Sequence, residues 1–434
     1  MSLSTPSPIG STAQGSNPSA SKTLSHQIVI VGGGAGGITV ASQLRVKNNN
    51  LDIAIIEPSD KHFYQPAWTL VGGGEFKASD TAKSQKHVTP PGVTWIQDYA
   101  ENLDPDNNAV ITRSGKQINY DYLILCPGIQ INWNLIDGLK EAIGKDGVCS
   151  NYGFDYASYT WEVIRNFKGG NAIFTFPATP IKCAGAPQKI MYMADDAFRK
   201  NGVRSQSNVM FTTAVGGIFG VADYAAPLMK VVERREIDLK VKHNLKAIRA
   251  ATKEAVFDVT TDQGVQEVAI AYDMIHIAPP MGAPDFIKNS KLAGTGGWVD
   301  VNKETLQHNS YKNVFSLGDA SSLPTSKTAA AVRKQAPVLV ENLLSVINSS
   351  SLSSKYNGYT CCPLITGYGK TIMAEFDYNN KALSTFPFDP REERYSMWVV
   401  KRHVLPWVYW NRMLKGKSFE GDLLKPLQWK SGNN

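Results

Sequence analysis

QIVIVGGGAGG, residues 27–37, is the stretch from which the rest of the chain can be read. Ile28, Val29, Ile30 and Val31 form a β-branched apolar run that predicts a buried strand. Gly32, Gly34 and Gly37 then fall at GxGxxG spacing, with Gly33 between the first two, and residues 38–46 predict a helix. In such a strand-turn-helix the first glycine permits the tight turn and the second admits a pyrophosphate to the backbone N–H groups. The third lets the helix pack close to the strand, with the diphosphate at the helix N-terminus. A glycine-rich loop can also be only a turn. The signal that raises it is Glu57, twenty residues after Gly37, at the end of a second apolar strand over residues 53–56. An acid there can accept hydrogen bonds from an adenosine ribose.

With 434 residues, 42% hydrophobic and 19% charged, the chain can form two or three packed domains of roughly 150 residues each. The balance of 45 Lys+Arg against 38 Asp+Glu gives +7, spread without any run of five like charges, so no nucleic-acid partner is expected. Five cysteines, Cys126, Cys149, Cys183, Cys361 and Cys362, fit neither a secreted disulfide framework nor a zinc CxxC pair. No metal site is expected, and the open readings are reactive thiols or small buried side chains. Residues 1–25 are rich in Ser, Pro, Thr, Gly and Ala and predict disorder, without the arginines of a mitochondrial transit peptide. No stretch of 18 uninterrupted apolar residues predicts a membrane span.

Beyond Glu57, Gln65 lies in an aromatic and polar loop from which it could reach a cofactor. Residues 93–96, 109–112 and 120–125 predict strands, the last ending at Cys126-Pro127-Gly128. A second lobe opens with a strand at 172–176. In place of a glycine loop it carries residues 177–187, PATPIKCAGAP, whose prolines remove the N–H groups a diphosphate needs, so a second nucleotide is disfavoured. The chain returns at residues 313–320, NVFSLGDA, where Gly318 and Asp319 place a carboxylate at a strand end, within reach of a ribityl hydroxyl. Lys327 stands in a predicted helix over 325–339, its ammonium and the helix N–H groups aimed at a flavin's pyrimidine edge. Paired with the first glycine loop, this makes a two-part flavin signature.

Residues 397–414, MWVVKRHVLPWVYWNRML, interleave Trp398, Trp407, Tyr409 and Trp410 with Lys401, Arg402 and Arg412. Two helical segments broken around Pro406 would suit a bilayer interface, though such a stripe could equally pack on the core or on a partner chain.

Five stretches resemble the sulfide:quinone oxidoreductases, in the branch of the mitochondrial enzymes and their bacterial relatives. They are HFYQPAWTLVG (62–72), IKCAGAPQKIMY (181–192), LPTSKTAAAV (323–332), CPLITGY (362–368) and AEFDY (374–378). The resemblance covers about residues 26–430 and implies an α/β chain of two Rossmann-like doubly wound domains, glutathione-reductase-like, with a C-terminal membrane-interface region. Residues 26–150 with 300–345 would bind FAD, 151–299 would form a degenerate second domain, and 346–434 would carry a redox cysteine and membrane-binding helices. It implies oxidation of hydrogen sulfide, reduction of a quinone such as ubiquinone, and transfer of sulfur to a small acceptor. The implied setting is a peripheral position on a membrane surface, the bacterial plasma membrane before the mitochondrial inner one, with homo-oligomerisation open. The redox cysteines carry over onto Cys183 and Cys362. Cys361 departs from the pattern and leaves open which of the adjacent pair faces the flavin, with Cys362 favoured by its context. The resemblance gives the persulfide to Cys362 and the flavin-facing thiolate to Cys183, with Lys182 available to depress the thiolate pKa. A type II NADH:quinone oxidoreductase and a non-catalytic flavin-binding protein are the alternatives.

Overall fold

The computed structural model describes residues 23–417. Strand β1 (Thr23–Val31) leads through the glycine turn into α1 (Ala35–Lys47), and β2 (Ile53–Ile56) lies parallel to β1 with Val31 beside Ile56. The chain continues through β3 (Val93–Ile96), β4 (Ala100–Asp104), β5 (Ala109–Thr112) and β6 (Gln117–Leu125). The last four residues of β1, Ile28 to Val31, are 3% exposed or less, as a strand covered on both faces requires. β1 starts five residues before that apolar run, because Thr23 to His26 pair with Gln117 to Tyr120 of β6 at the half-exposed end of the sheet. The expected disordered extension therefore does not reach residue 25, and its residues 1–22 lie outside the described residues. β4 had no sequence signal: its polar alternation, Ala-Glu-Asn-Leu-Asp, buries only Leu103.

A second sheet follows, built from β7 (Val148–Cys149), β8 (Gly170–Phe176), β9 (Ser207–Thr213), β10 (Asp238–Lys240) and β11 (Met274–His276). Its strands are all parallel, in the order β7-β11-β8-β9-β10, and α2 (Ala186–Lys200) follows β8. Three antiparallel strands over residues 243–271 pack beside it. β12 (Val314–Ser316) then returns to pair with β6, completing the seven-stranded first sheet in the order β3-β2-β1-β6-β5-β4 with β12 added on β6. Each sheet has its own apolar core.

α3 spans Ala329–Ile347. It begins later than expected because Thr328 caps it, its hydroxyl accepting from Ala331 N at 3.0 Å, and Lys327 is left in the preceding turn. The antiparallel hairpin β13 (Thr360–Gly367) and β14 (Lys370–Phe376) packs against α2. The C-terminal aromatic stretch is one continuous rod, not two segments broken at Pro406. Its irregularity is a π-helical turn at Val400–Val404, and Pro406 sits in the first turn of the following helix, Leu405–Asn411, where its fixed φ suits the helix. Trp398 and Tyr409 are buried, whereas Trp407 is 53% and Val404 37% exposed, so the stripe divides between core and surface. Among the described residues no helix is long and apolar enough to cross a membrane.

Candidate active site

The β1–α1 turn is built for close approach. Gly32 has φ +103°, and a Cβ there would stand 2.5 Å from Cys126 O. One on Gly37 would fall on the Gly32 carbonyl oxygen, so helix and turn touch as the third glycine allows. Gly34 has no atom within 4 Å of where its Cβ would be, which leaves the room a diphosphate takes at the α1 N-terminus. Glu57 accepts from Gly33 N at 2.8 Å and from Ser59 N at 2.9 Å, one bond per oxygen, leaving lone pairs for a ribose. Burial raises its pKa, and the two amides oppose that. His62 spans the turn and the C-terminal rod: Nδ1 lies 2.9 Å from Gly33 O and Nε2 2.6 Å from Tyr409 Oη. Burial pushes its pKa down to about 4.

A cavity of about 460 Å³ runs from this turn past Gly318 and Asp319 to Cys183. Burial raises the Asp319 carboxyl pKa, and the Asn151 carboxamide and Tyr152 hydroxyl border the same cavity without a partner among the described residues. A long cleft with a diphosphate turn at one end and unsatisfied polar groups at the other fits FAD. Lys327 does not aim its ammonium at the ligand as expected. Its Nζ donates to Asp319 O at 2.7 Å and Ser321 O at 3.2 Å and stands 3.8 Å from the Trp298 ring centre, bracing the Gly318–Asp319 turn. Gln65 borders the cavity and accepts from Lys182 Nζ at 2.7 Å.

The loop that replaces a second glycine turn carries Cys183. Its φ of 51° is left-handed, a conformation that costs a non-glycine residue energy and is held here by Cys183 N donating to Lys327 O at 2.9 Å. Cys362 reaches it from β13, and the two sulfurs are 3.5 Å apart. Gly185 makes the approach possible, since a Cβ there would stand 2.6 Å from Cys362 Sγ. Lys189, on the buried face of α2, places Nζ 3.0 Å from Cys183 Sγ and 3.8 Å from Cys362 Sγ. The Cys362 thiol and this ammonium hold the Cys183 pKa well below the ordinary thiol value against the effect of burial, while Cys362 is pushed up. The site thus pairs one thiolate with one thiol. Lys182, expected to depress the thiolate pKa, is engaged with Gln65 and lies 5.2 Å from the Trp68 ring centre, so Lys189 fills that role.

Two functional cations escaped the sequence reading. Lys189 was hidden in an ordinary helical stretch, where the available signal was a lysine within the buried run Pro187–Met193. Lys401 belongs to the stripe expected at a bilayer interface or packed on the core or a partner chain. It is 3% exposed, donates to Pro66 O at 2.9 Å, and has its pKa lowered to about 8 by burial and by Lys189. Cys361 points to the opposite face of β13 from Cys362, its sulfur 3.4 Å from Met373 Sδ, and burial raises its pKa. Cys126 and Cys149 are buried thiols pushed up to about 12. On the Cys361 side the cavity opens into an apolar arm bordered by Pro363, Met373, Phe386, Val400 and Leu405.

Comparison with known proteins bears on this arrangement. Residues 26–157 match the family described as pyridine nucleotide-disulphide oxidoreductase. The chain is 48% identical over 391 residues to the mitochondrial sulfide:quinone oxidoreductase of Mus musculus, covering 90% of this chain and 87% of that protein. It is 48% identical over 406 residues to that of Dictyostelium discoideum, covering 93% and 89%. The crystal structure of the sulfide:quinone oxidoreductase from Aquifex aeolicus superposes with a TM-score of 0.76 over 92% of this chain and 94% of that one, at 20% identity, a likeness of fold. Both curated relatives are named mitochondrial, so the expected preference for a bacterial membrane has no support. By identity and coverage together, the chain is a flavoprotein with FAD as its cofactor and belongs to the sulfide:quinone oxidoreductase family.

Proposed function

We propose that this protein oxidises hydrogen sulfide and reduces a quinone, ubiquinone by preference. The observation that carries the reading is the sulfur pair, 3.5 Å apart with an ammonium on both, at the edge of a cleft fitted for FAD. The pair stands reduced, with the sulfurs 3.5 Å apart; once it had given two electrons to FAD and closed the bridge, hydrosulfide would attack at Cys362, the new S–S bond making a Cys362 persulfide and the broken one releasing Cys183 as a thiolate. Lys189 stabilises that thiolate, and the persulfide sulfur passes to a small nucleophile such as sulfite, a thiol or cyanide. FAD supplies the two-electron carrier between the sulfur pair and the quinone. Gly32, Gly33, Gly34, Gly37 and Glu57 would hold its adenosine and diphosphate, Gly318 and Asp319 its ribityl chain, and Lys327 and Gln65 the surrounding walls. Residues 26–150 with 300–345 would form the FAD domain and 151–299 the second domain, with 346–434 bearing the redox cysteine. The quinone head group would occupy the apolar arm. The exposed Trp407 and Val404 support peripheral attachment to a membrane, which for a relative of mitochondrial enzymes would be a mitochondrial one; a homo-oligomer fits the same scheme. NADH is disfavoured as donor by the prolines at 177–187, where the redox loop takes the place of a phosphate turn.

The test is an anaerobic titration of the purified flavoprotein. Sulfide should bleach the flavin, decylubiquinone should restore it, and NADH should do little. Bleaching by NADH but not by sulfide would refute the reading.

A further inference from the structure

Reducing a quinone to a quinol takes two electrons and two protons, yet the arm proposed for the quinone is walled by apolar side chains. Three carboxylates border the whole cavity among the described residues. Glu57 and Asp319 belong to the FAD cradle, and only Glu375 stands in the apolar arm. Glu375 is 2% exposed on β14. Its Oε1 accepts from Tyr359 Oη at 2.5 Å and from Thr385 Oγ1 at 2.5 Å, and its Oε2 accepts from Thr385 N at 2.7 Å. These bonds join Thr385 to Tyr359 through one carboxyl group. The two ends of the chain differ. Both border the cavity, but Tyr359 is buried beside Cys361, whereas Thr385 is half-buried in the loop after β14. Arg333 Nη2 lies 3.5 Å from Tyr359 Oη, a cation placed to stabilise the phenolate that forms if the tyrosine gives up its proton first.

We infer that Thr385, Glu375 and Tyr359 form a proton relay from solvent to the quinone oxygen, with Tyr359 as the terminal acid. This rests on the quinone reading above. In the step proposed, reduced FAD supplies both electrons. A proton from solvent first reaches the Glu375 carboxylate through Thr385; Tyr359 Oη then gives its own proton to a quinone oxygen and takes the one held by Glu375, which returns to the carboxylate. Each cycle through the relay delivers one of the two protons the quinol needs, and every relay group ends as it began. Apolar packing alone requires none of these groups.

The experiment separates the two halves of the reaction in Glu375→Gln and Tyr359→Phe holoenzymes, both near-isosteric, so that one remains informative if the other fails to fold. Flavin reduced with sulfide is mixed anaerobically with decylubiquinone, or with ferricyanide, an oxidant that takes electrons without protons. The expected result is reoxidation by decylubiquinone slowed about 100-fold, with the wild-type solvent deuterium isotope effect altered, while reoxidation by ferricyanide keeps its wild-type rate. Equal slowing with both oxidants would make the cluster structural and overturn the relay. So would unchanged quinone rates in both variants. Wild-type enzyme that ferricyanide reoxidises and decylubiquinone does not would overturn the quinone reading itself, and the relay with it.

Discussion

Replacing Lys189 by Met keeps the side chain's length and removes its charge. At 3.0 Å and an effective dielectric of about 20, the attraction between this ammonium and a Cys183 thiolate is about 5.5 kcal/mol. The net loss is smaller, because burying the ammonium is itself costly and Lys401 remains beside the pair. A hydrogen bond from a charged donor is worth about 1.5–3 kcal/mol, so the thiolate population and the rate that depends on it should fall about 10- to 100-fold. The direction with pH follows from the charge. Lys189 holds the Cys183 pKa down, so its removal raises that pKa, and the deficit should be greatest at neutral pH and shrink as the medium becomes alkaline. The assay is anaerobic stopped-flow bleaching of the flavin by sulfide, read as the ratio of variant to wild type at each pH, so that the ionisation of sulfide itself cancels. Lys189→Arg should recover most of the rate, and FAD content should not change in either variant. A Lys189→Met enzyme with the wild-type rate at every pH would refute the assignment of this ammonium to the thiolate.

Cys183→Ser and Cys362→Ser should each abolish sulfide-dependent bleaching while retaining FAD, and Cys361→Ser should keep it, since its sulfur meets Met373 and not Cys183; activity in Cys362→Ser with loss in Cys361→Ser would reverse the pairing. His62 is buried neutral with its pKa lowered from 6.5 to about 4, so its contribution is complete above 6.5 and is lost as the pH falls toward 4. The loss is up to about 3 kcal/mol, and urea midpoints of wild type should fall over this range more than those of His62→Gln. Deleting the C-terminal stretch would remove Lys401 and Tyr409 from the site, so the membrane question is better put by Val404→Glu with Trp407→Glu. That protein should no longer sediment with liposomes yet should still be bleached by sulfide, and continued sedimentation would exclude this face as the membrane contact.

The sequence by itself determined the parts whose constraints are local. A β-branched run, three glycines and an acid at the next strand end specify a turn that admits a diphosphate, and the structure forms it with Gly34 open and Glu57 beside it. The prolines after β8 likewise disfavour a second phosphate turn there, on composition alone. Strand β4 was lost because a strand with a single buried side chain has almost no apolar period to detect. Tertiary structure alone decided how distant groups meet. Cys183 and Cys362 are 179 positions apart, and their separation is set by α2 packing on β13 across Gly185. Which lysine serves the thiolate depends on which face of α2 turns inward, and a lone lysine in a helical stretch does not reveal that. Residues 397–414 read as one aromatic and cationic stripe because composition cannot separate the side chains that enter the core from those that remain outside. Only contacts with His62 and Pro66 separate Tyr409 and Lys401 from Trp407, because burial is a property of what the rest of the chain brings against a residue.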